Sequence, residues 1–424
     1  MVRPVSNEAS HSGNDLLLLG SYAEQMPDIA ARFRERGAVG VVVADASALE
    51  RVERGYGAFA HRKATSKLAK LVLEACSREL GPQDLVAMGE GSNDEIVVLL
   101  LGSSDHANLH AERLPALCEK LREAIAKNGA QVTYPYIREP LDVPVGYSIA
   151  LYHPGLREER QVRVAVDRAR ADAQLDQRVA VRARDRRFLD LLLGEDVTIL
   201  YEPIVSVETR EVLGYEALVR GPWDSDLHSP GALFQRAEET GLLFELDCLC
   251  RRVALRSARG LEPGRKLFLN CLPTAIHDPA FRGDVLRRTL EDLRLRPSDV
   301  VFEISEKESI ANFSIFREAR DYYGELGFQI ALDDTGVAYG SLEAVMELSP
   351  NFIKVDMSLV RGVDTDPARE ELLRALHAVA SKIDAAIIAE GIETADELAA
   401  IARLGIPYGQ GYLFGRPAPL RRNH

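Results

Sequence analysis

This sequence has no zinc-type cysteine pairs, no long apolar runs and no excess of basic residues. Its five cysteines are Cys76, Cys118, Cys248, Cys250 and Cys271. None has the doubled spacing of a zinc site, and Cys248 and Cys250 form a CxC step inside a helical pattern. They read as packing thiols in a reducing compartment. The run 16–19 is far shorter than the about 20 apolar residues that cross a bilayer. Residues 1–14 are polar and lack the apolar core of a signal peptide, so the expectation is a cytoplasmic protein with no membrane span. A formal net charge of −13 argues against broad binding to nucleic acid, and no DNA partner is expected. A small anionic ligand stays compatible, because local cations or metals can reverse the field at one site.

The 424 residues are 46% hydrophobic and 28% charged, as in a soluble chain of two or three globular domains. The first block, 15–175, alternates apolar runs (39–44, 96–101, 145–151) with helical stretches (64–80, 111–126), which predicts an α/β or α+β layer domain. The segment 157–187, dense in Arg, Asp, Ala and Gln, reads as helix. Val162, Val166 and Ala169 share one face, and its arginines suit a solvated, salt-bridged face better than an anionic partner. A helical linker is placed at 176–196. From 197 to 420 short apolar runs alternate with helices. The runs are 199–207, 212–219, 266–270, 300–304, 329–332, 352–355, 385–389 and 411–414. Among the helices between them are 229–240, 243–259, 281–293, 315–326, 342–348, 366–383 and 395–404. About eight strand-then-helix units predict a mostly parallel TIM-type (β/α) barrel.

Polar residues recur where the apolar runs end: Glu216, Asn270, Glu303, Asp333 with Asp334, Lys354 with Asp356, Glu390, and Gln410 at the head of the last run. In a parallel barrel the strand ends share one face, so these groups would meet in one pocket. So many carboxylates raise one another's pKa until some protonate. Hard divalent cations relieve that, and an all-oxygen set favours Mg2+ or Mn2+ over zinc. Two ions bridged by an Asp-Asp pair are a standard device for in-line phosphoryl chemistry, so the residues by themselves point to metal-assisted phosphoester hydrolysis.

The same residues resemble the EAL family of cyclic di-GMP phosphodiesterases. The resemblance rests on the ordered series Glu216-Ala217-Leu218 with Arg220, Asn270, Glu303-Ile304-Ser305-Glu306, Asp333-Asp334, Ile353-Lys354-Val355-Asp356, Ala389-Glu390-Gly391-Ile392-Glu393 and Gln410-Gly411-Tyr412-Leu413-Phe414. It implies one metal on Glu216, Asn270, Glu303 and Asp333, and a second held or oriented by Asp333, Asp334 and Glu390. Lys354 would act near the attacking water or the phosphate, and Gln410 would orient water or substrate. Arg220 would contact phosphate, and Glu306 and Glu393 would support the loop after Asp333-Asp334. The implied reaction opens cyclic di-GMP to the linear dinucleotide pGpG, and a homodimer through the barrel is implied with it.

Two departures stand out. The family loop DDFGTGYSS is here Asp333-Asp334-Thr335-Gly336-Val337-Ala338-Tyr339-Gly340-Ser341. The family YQPI strand is Tyr201-Glu202-Pro203-Ile204, with Glu202 beside the site, where its charge opposes an anionic dinucleotide. They keep a second expectation open: a barrel that binds cyclic di-GMP, or a protein partner, without turnover.

The first block resembles a degenerate GGDEF domain. Its DEF core survives as Asp94-Glu95-Ile96 behind Ser92-Asn93 instead of two glycines, whose absence obstructs nucleotide approach. Asp45 matches the first metal aspartate. Glu50, Glu53 and Arg54 replace the expected lysine, asparagine and aspartate, and Asp84 is kept without its arginine, which is Gly81. The expectation is a regulatory domain that is not a cyclase and that can meet a protein partner.

Overall fold

The computed structural model describes residues 16–90, 94–137, 142–305, 313–335 and 349–420. The chain divides into two compact units, Met1–Arg184 and Asp185–His424. The division falls inside the helix Glu158–Gly194.

The first unit holds a four-stranded antiparallel sheet of β1 (Ala38–Asp45), β2 (Leu85–Met88), β3 (Glu95–Leu100) and β4 (Val145–Leu151), in the order β2-β3-β1-β4. Its strands read as apolar runs because helices cover both faces. Val39, Val41, Val43, Val97 and Leu99 pack with Ile29, Phe33, Val162 and Val166. Val42, Ala44, Ile96 and Val98 pack on the opposite side with Leu68, Val72, Leu117 and Leu121. This is the period-2 alternation of a strand buried on both faces. β2 has only four residues and left no periodic signal. The expected helix 64–80 is the second part of Glu50–Cys76, which breaks at Gly57 (φ 84°, ψ 169°).

The second unit is a closed eight-stranded barrel. In order its strands are β5 (Thr198–Ser206), β6 (Val212–Arg220), β7 (Lys266–Asn270), β8 (Val300–Ser305), β9 (Gln329–Thr335), β10 (Phe352–Val355), β11 (Ala386–Ala389) and β12 (Tyr408–Gln410). All neighbours from β6 to β12 are parallel. β5 is antiparallel to both β6 and β12. The turn between Ser206 and Val212 is too short for the crossover that parallel strands need, so a hairpin results. The last strand is Tyr408–Gln410, not 411–414 as expected. Gly411 lies at φ 145° with Ile392 backbone atoms 2.4 Å from where a Cβ would sit. The chain turns there, with the Phe414 N–H donating to Gly411 O at 3.0 Å, and Phe414 packs on the core instead of pairing. The expected helix 342–348 lies outside the described residues.

The barrel interior is layered. Ile204, Phe268, Val301, Ala331, Phe352 and Ile388 form one apolar cluster, with Tyr408 packed against it. Side chains two apart on a strand share a face. The next inward layer is therefore Glu202, Asn270, Glu303, Asp333, Lys354, Glu390 and Gln410, joined by Glu216 opposite Glu202 in the β5–β6 register. The apolar layer is the floor on which the polar layer rests.

Gly214 of β6 lies opposite Lys266 of β7, and a Cβ there would stand 2.2 Å from the Lys266 carbonyl oxygen. Gly214→Ala is expected to destabilise the barrel by about 1–3 kcal/mol, read as a lower urea midpoint for its unfolding transition.

Candidate active site

Lys354 organises the polar layer. Its side chain is 1% exposed, and its Nζ lies 3.2 Å from Glu216 Oε2, 3.1 Å from Glu303 Oε1, 3.2 Å from Asp333 Oδ1 and 2.6 Å from Glu390 Oε1. One ammonium thus faces four carboxylates. Glu216 is held at both oxygens: Asn270 Nδ2 donates to Oε1 at 3.1 Å and Gln410 Nε2 to Oε2 at 2.7 Å. Gln410 also reaches Glu202 Oε2 at 3.3 Å. Glu303 is 1% exposed. Lys354 stands at ion-pair distance but out of line for a hydrogen bond, so both Glu303 oxygens are buried without a hydrogen-bond partner among the described residues.

The adjacent aspartates reach the same place through a β-bulge. Between Leu332 and Thr335 β9 spends one residue more than β10 spends between Ile353 and Val355, and Asp334 takes φ 56°. Successive side chains of a regular strand point to opposite faces. The extra residue re-aims the second one, and aspartate tolerates the left-handed region better than most residues. Oxygens of Asp333, Asp334 and Glu390 consequently lie within 4.8 Å of one another.

Electrostatics follow from burial and charge count. Burial first, then Glu216, pushes the Glu303 carboxyl well above its ordinary range, and Lys354 does not fully offset them. Glu390 is likewise driven well up, by burial and then Asp333 and Glu216 against Lys354. Asp333 is raised mainly by burial, and so is Glu202. Glu216 goes the other way: burial raises it, but Lys354, Gln410 and Asn270 together outweigh that and hold it low. Burial opposes the Lys354 charge, yet the surrounding carboxylates keep its pKa well above the usual lysine value.

A cleft of about 350 Å³ is lined by Glu202, Glu216, Asp333, Asp334, Lys354, Asp356, Glu390, Glu393 and Gln410 among the residues singled out in the sequence. Glu216 is also in the wall of an adjoining pocket of about 320 Å³, with Asn270 and Glu303. Arg220 lines neither; it ends β6 and donates to the Val219 carbonyl at 2.7 Å. Asp356 caps a short helical turn by accepting from Ser358 N at 2.9 Å, and Glu393 pairs with Arg361. Glu306 and the loop 336–341 lie outside the described residues.

Met357, Arg361 and Tyr412 line the cleft with no periodic signal to announce them. A second group was legible only as an i,i+4 pair. Arg251, 1% exposed, pairs with Asp247, with Asp278 Oδ2 at 3.0 Å and with the Phe281 ring at 4.7 Å. Asp247 accepts from Leu272 N at 3.3 Å, tying the helix Leu243–Ser257 to the segment just after Asn270. Cys248 and Cys271 also lie against this guanidinium, and all five cysteines are free thiols.

In the first unit the GGDEF-like positions are differently engaged. Asp84 accepts from the backbone N–H groups of Gly81, Leu101 and Gly102. Glu95 takes a bidentate pair from Arg170, at 2.8 Å to each oxygen. Asp94 meets His61 at 2.9 Å, Asp45 accepts from Ser47 N, and Glu50 pairs with Arg54. Ser92 and Asn93 lie outside the described residues.

A closed eight-stranded barrel with one reversed strand, carrying carboxylates, two amides and one lysine on its inward polar layer, defines a class of α/β-barrel proteins with an acidic site at the barrel mouth. The EAL domain family model matches residues 185–417, and the chain belongs to that family. It is 28% identical over 372 residues to cyclic di-GMP phosphodiesterase NbdA of Pseudomonas aeruginosa, covering 84% of this chain and 46% of that protein. It is 30% identical over 243 residues to cyclic di-GMP phosphodiesterase PdeR of Escherichia coli, covering 55% of this chain and 36% of that one. The chain thus spans less than half the length of these relatives. Among solved structures it resembles the PaMucR phosphodiesterase in complex with c-di-GMP, at 25% identity and TM-score 0.50, covering 56% of this chain and 98% of that one. The Xanthomonas citri FimX EAL domain in complex with c-diGMP shares the fold, at 19% identity and TM-score 0.52, covering 58% and 98%. Among the described residues no helix is long and apolar enough to cross a membrane.

The raised carboxylates fix a pH dependence. A carboxyl whose folded pKa lies above its unfolded value of about 4.3 stabilises the fold at low pH and loses that contribution as pH rises through the folded value. Glu303, Asp333 and Glu390 have that sign and Glu216 the opposite one, so the metal-free barrel is expected to melt at lower temperature as pH rises from the ordinary carboxylate range toward neutrality. Stabilisation by Mn2+ should grow over the same interval, and Glu303→Gln should flatten the metal-free slope. Thermal melts across pH, with and without Mn2+, check all three.

Proposed function

We propose that the barrel hydrolyses one phosphodiester of cyclic di-GMP to linear pGpG with Mg2+ or Mn2+, and that the first unit, 15–175 in our reading, is a regulatory GGDEF-like domain and not a cyclase. The observation that carries this is the charge imbalance around Lys354: among the described residues four carboxylates share one ammonium, and Glu303 has two buried oxygens without a hydrogen bond. Such a set is stable only if protons or cations make up the deficit. All-oxygen donors with hard-cation character fit Mg2+ or Mn2+. Glu216, Asn270, Glu303 and Asp333 would hold one ion, and Asp333, Asp334 and Glu390 the other. When bound, the ions would supply Lewis-acid polarisation and a reactive water.

The chain's own groups do the rest. Gln410 and Asn270 hold the Glu216 carboxylate in one orientation. Lys354 stays charged and faces the cleft, where it can offset charge developing on phosphoryl oxygens. Glu390, whose pKa burial raises, is suited to hold or pass on a proton in the site. Arg220 would have to leave the Val219 carbonyl to reach a phosphate. The non-cyclase reading of the first unit is supported by Asp84 and Glu95, whose carboxylates are already taken up by backbone N–H groups and by Arg170.

One observation favours the alternative, a receptor or scaffold that binds without turnover. Glu202 adds a further carboxylate beside Glu216, through Gln410, where an anionic dinucleotide must approach. A homodimer and a protein partner for the first unit complete the proposal.

Incubation of the full chain with cyclic di-GMP in a Mg2+ and Mn2+ series is expected to give pGpG by chromatography. Glu216→Ala should lower the rate by about 10²–10³-fold or more. Tight calorimetric binding with intact ligand after hours would reject turnover in favour of the receptor reading.

A further inference from the structure

We propose that Trp223 is a preformed stacking platform for one purine base of a dinucleotide bound at the barrel mouth, an assignment that rests on the cyclic-dinucleotide reading above. Trp223 is the one tryptophan of the chain and its residue is 86% exposed. An indole that size normally buries about 150–250 Å², so leaving it in water forgoes a large hydrophobic gain. Such a violation points to function when the surrounding structure enforces it.

Here it is enforced. Trp223 sits on the loop between the end of β6 and the helix Pro230–Thr240. The loop closes on itself: Gly221 N donates to His228 O at 3.0 Å, and His228 Nδ1 donates to Gly221 O at 3.0 Å. The Ser225 hydroxyl donates to Pro222 O at 2.9 Å and accepts from Leu227 N at 3.2 Å. A Cβ on Gly221 would fall 2.1 Å from the Leu227 carbonyl oxygen, so this closure tolerates only glycine. The His228 ring, fixed by its bond to Gly221, meets the indole edge-on, with centroids 5.0 Å apart and planes at 77°. The indole is therefore held against His228 while most of it remains exposed.

The position suits a ligand of the described site. The two anchors of the loop, Val219 and Pro230, both line the pocket that contains Glu216, Asn270 and Glu303. The indole stands three residues past the C-terminal end of β6, on a loop whose two ends reach that pocket. Its surroundings do not suit a protein interface, which needs a contiguous apolar patch. Leu227 is buried, and the exposed loop neighbours are Asp224 and Asp226. Two carboxylates beside a flat ring repel phosphate but accept hydrogen bonds from a base edge rich in N–H donors, as guanine has. A stacked base is recognised by its face, and aromatic platforms of this kind contribute about 1–3 kcal/mol per base.

The single tryptophan reports on itself. The full chain is titrated with cyclic di-GMP in Ca2+, chosen to slow turnover, while emission is recorded beside a calorimetric isotherm. A saturable change in emission that follows the isotherm is expected. Trp223→Ala should weaken binding about tenfold or more, with the loss appearing in KM, and Trp223→Tyr should recover most of it. The side chain is exposed, so the variants should melt as the parent does, which circular dichroism checks. Calorimetric binding with unchanged emission, or an unchanged Kd for Trp223→Ala, overturns the assignment while leaving the phosphodiesterase reading intact. Absence of both binding and turnover in the parent protein rejects that reading, and this assignment with it.

Discussion

A single buried ammonium among four carboxylates is the constraint on which the barrel mouth depends. Taking a charge out of water costs several kcal/mol even after relaxation, and Lys354 is fully enclosed. It stays charged because Glu216, Glu303, Asp333 and Glu390 surround it, and they tolerate one another's proximity because it is there. The arrangement is nonetheless short of positive charge. That shortage shows as raised carboxyl pKa values and as Glu303 oxygens that no donor among the described residues satisfies. Protons or cations must make up that shortage.

Geometry delivers these groups by two devices. The first is strand alternation over an apolar floor: Phe268, Val301, Ala331, Phe352 and Ile388 each sit two residues before a polar side chain of the site. The floor gives the polar layer rigid support and a low-dielectric underside, which strengthens every interaction above it. The second is the bulge at Asp333-Asp334, which brings two successive carboxylates to one place. A regular strand would have sent Asp334 to the opposite face, and the aspartate pair could not have acted together.

The first unit shows how similar residues acquire other duties. Glu95, part of a signature that resembles a nucleotide-handling motif, is tied by two hydrogen bonds to Arg170 of the helix Glu158–Gly194. Asp84 closes a turn by accepting three backbone N–H groups. Carboxylates engaged in this way are less available to a nucleotide or an ion.

The amino-acid sequence by itself determined the barrel's alternation of apolar strands and helices and the polar residue at or near most of its strand ends. These were legible because strand period, apolar runs and residue chemistry are local. The reversed direction of β5 was not read, nor was the four-residue β2, nor the true last strand at Tyr408–Gln410, where apolar residues after Gly411 pack instead of pairing. Only the tertiary structure decided that Lys354 touches four acids at once, that Arg251 is enclosed by Asp247 and Asp278, that Arg220 bonds the Val219 carbonyl, and that Trp223 is held out in water. Each depends on register, a bulge or loop closure between residues far apart in the chain, and no local pattern encodes such a meeting.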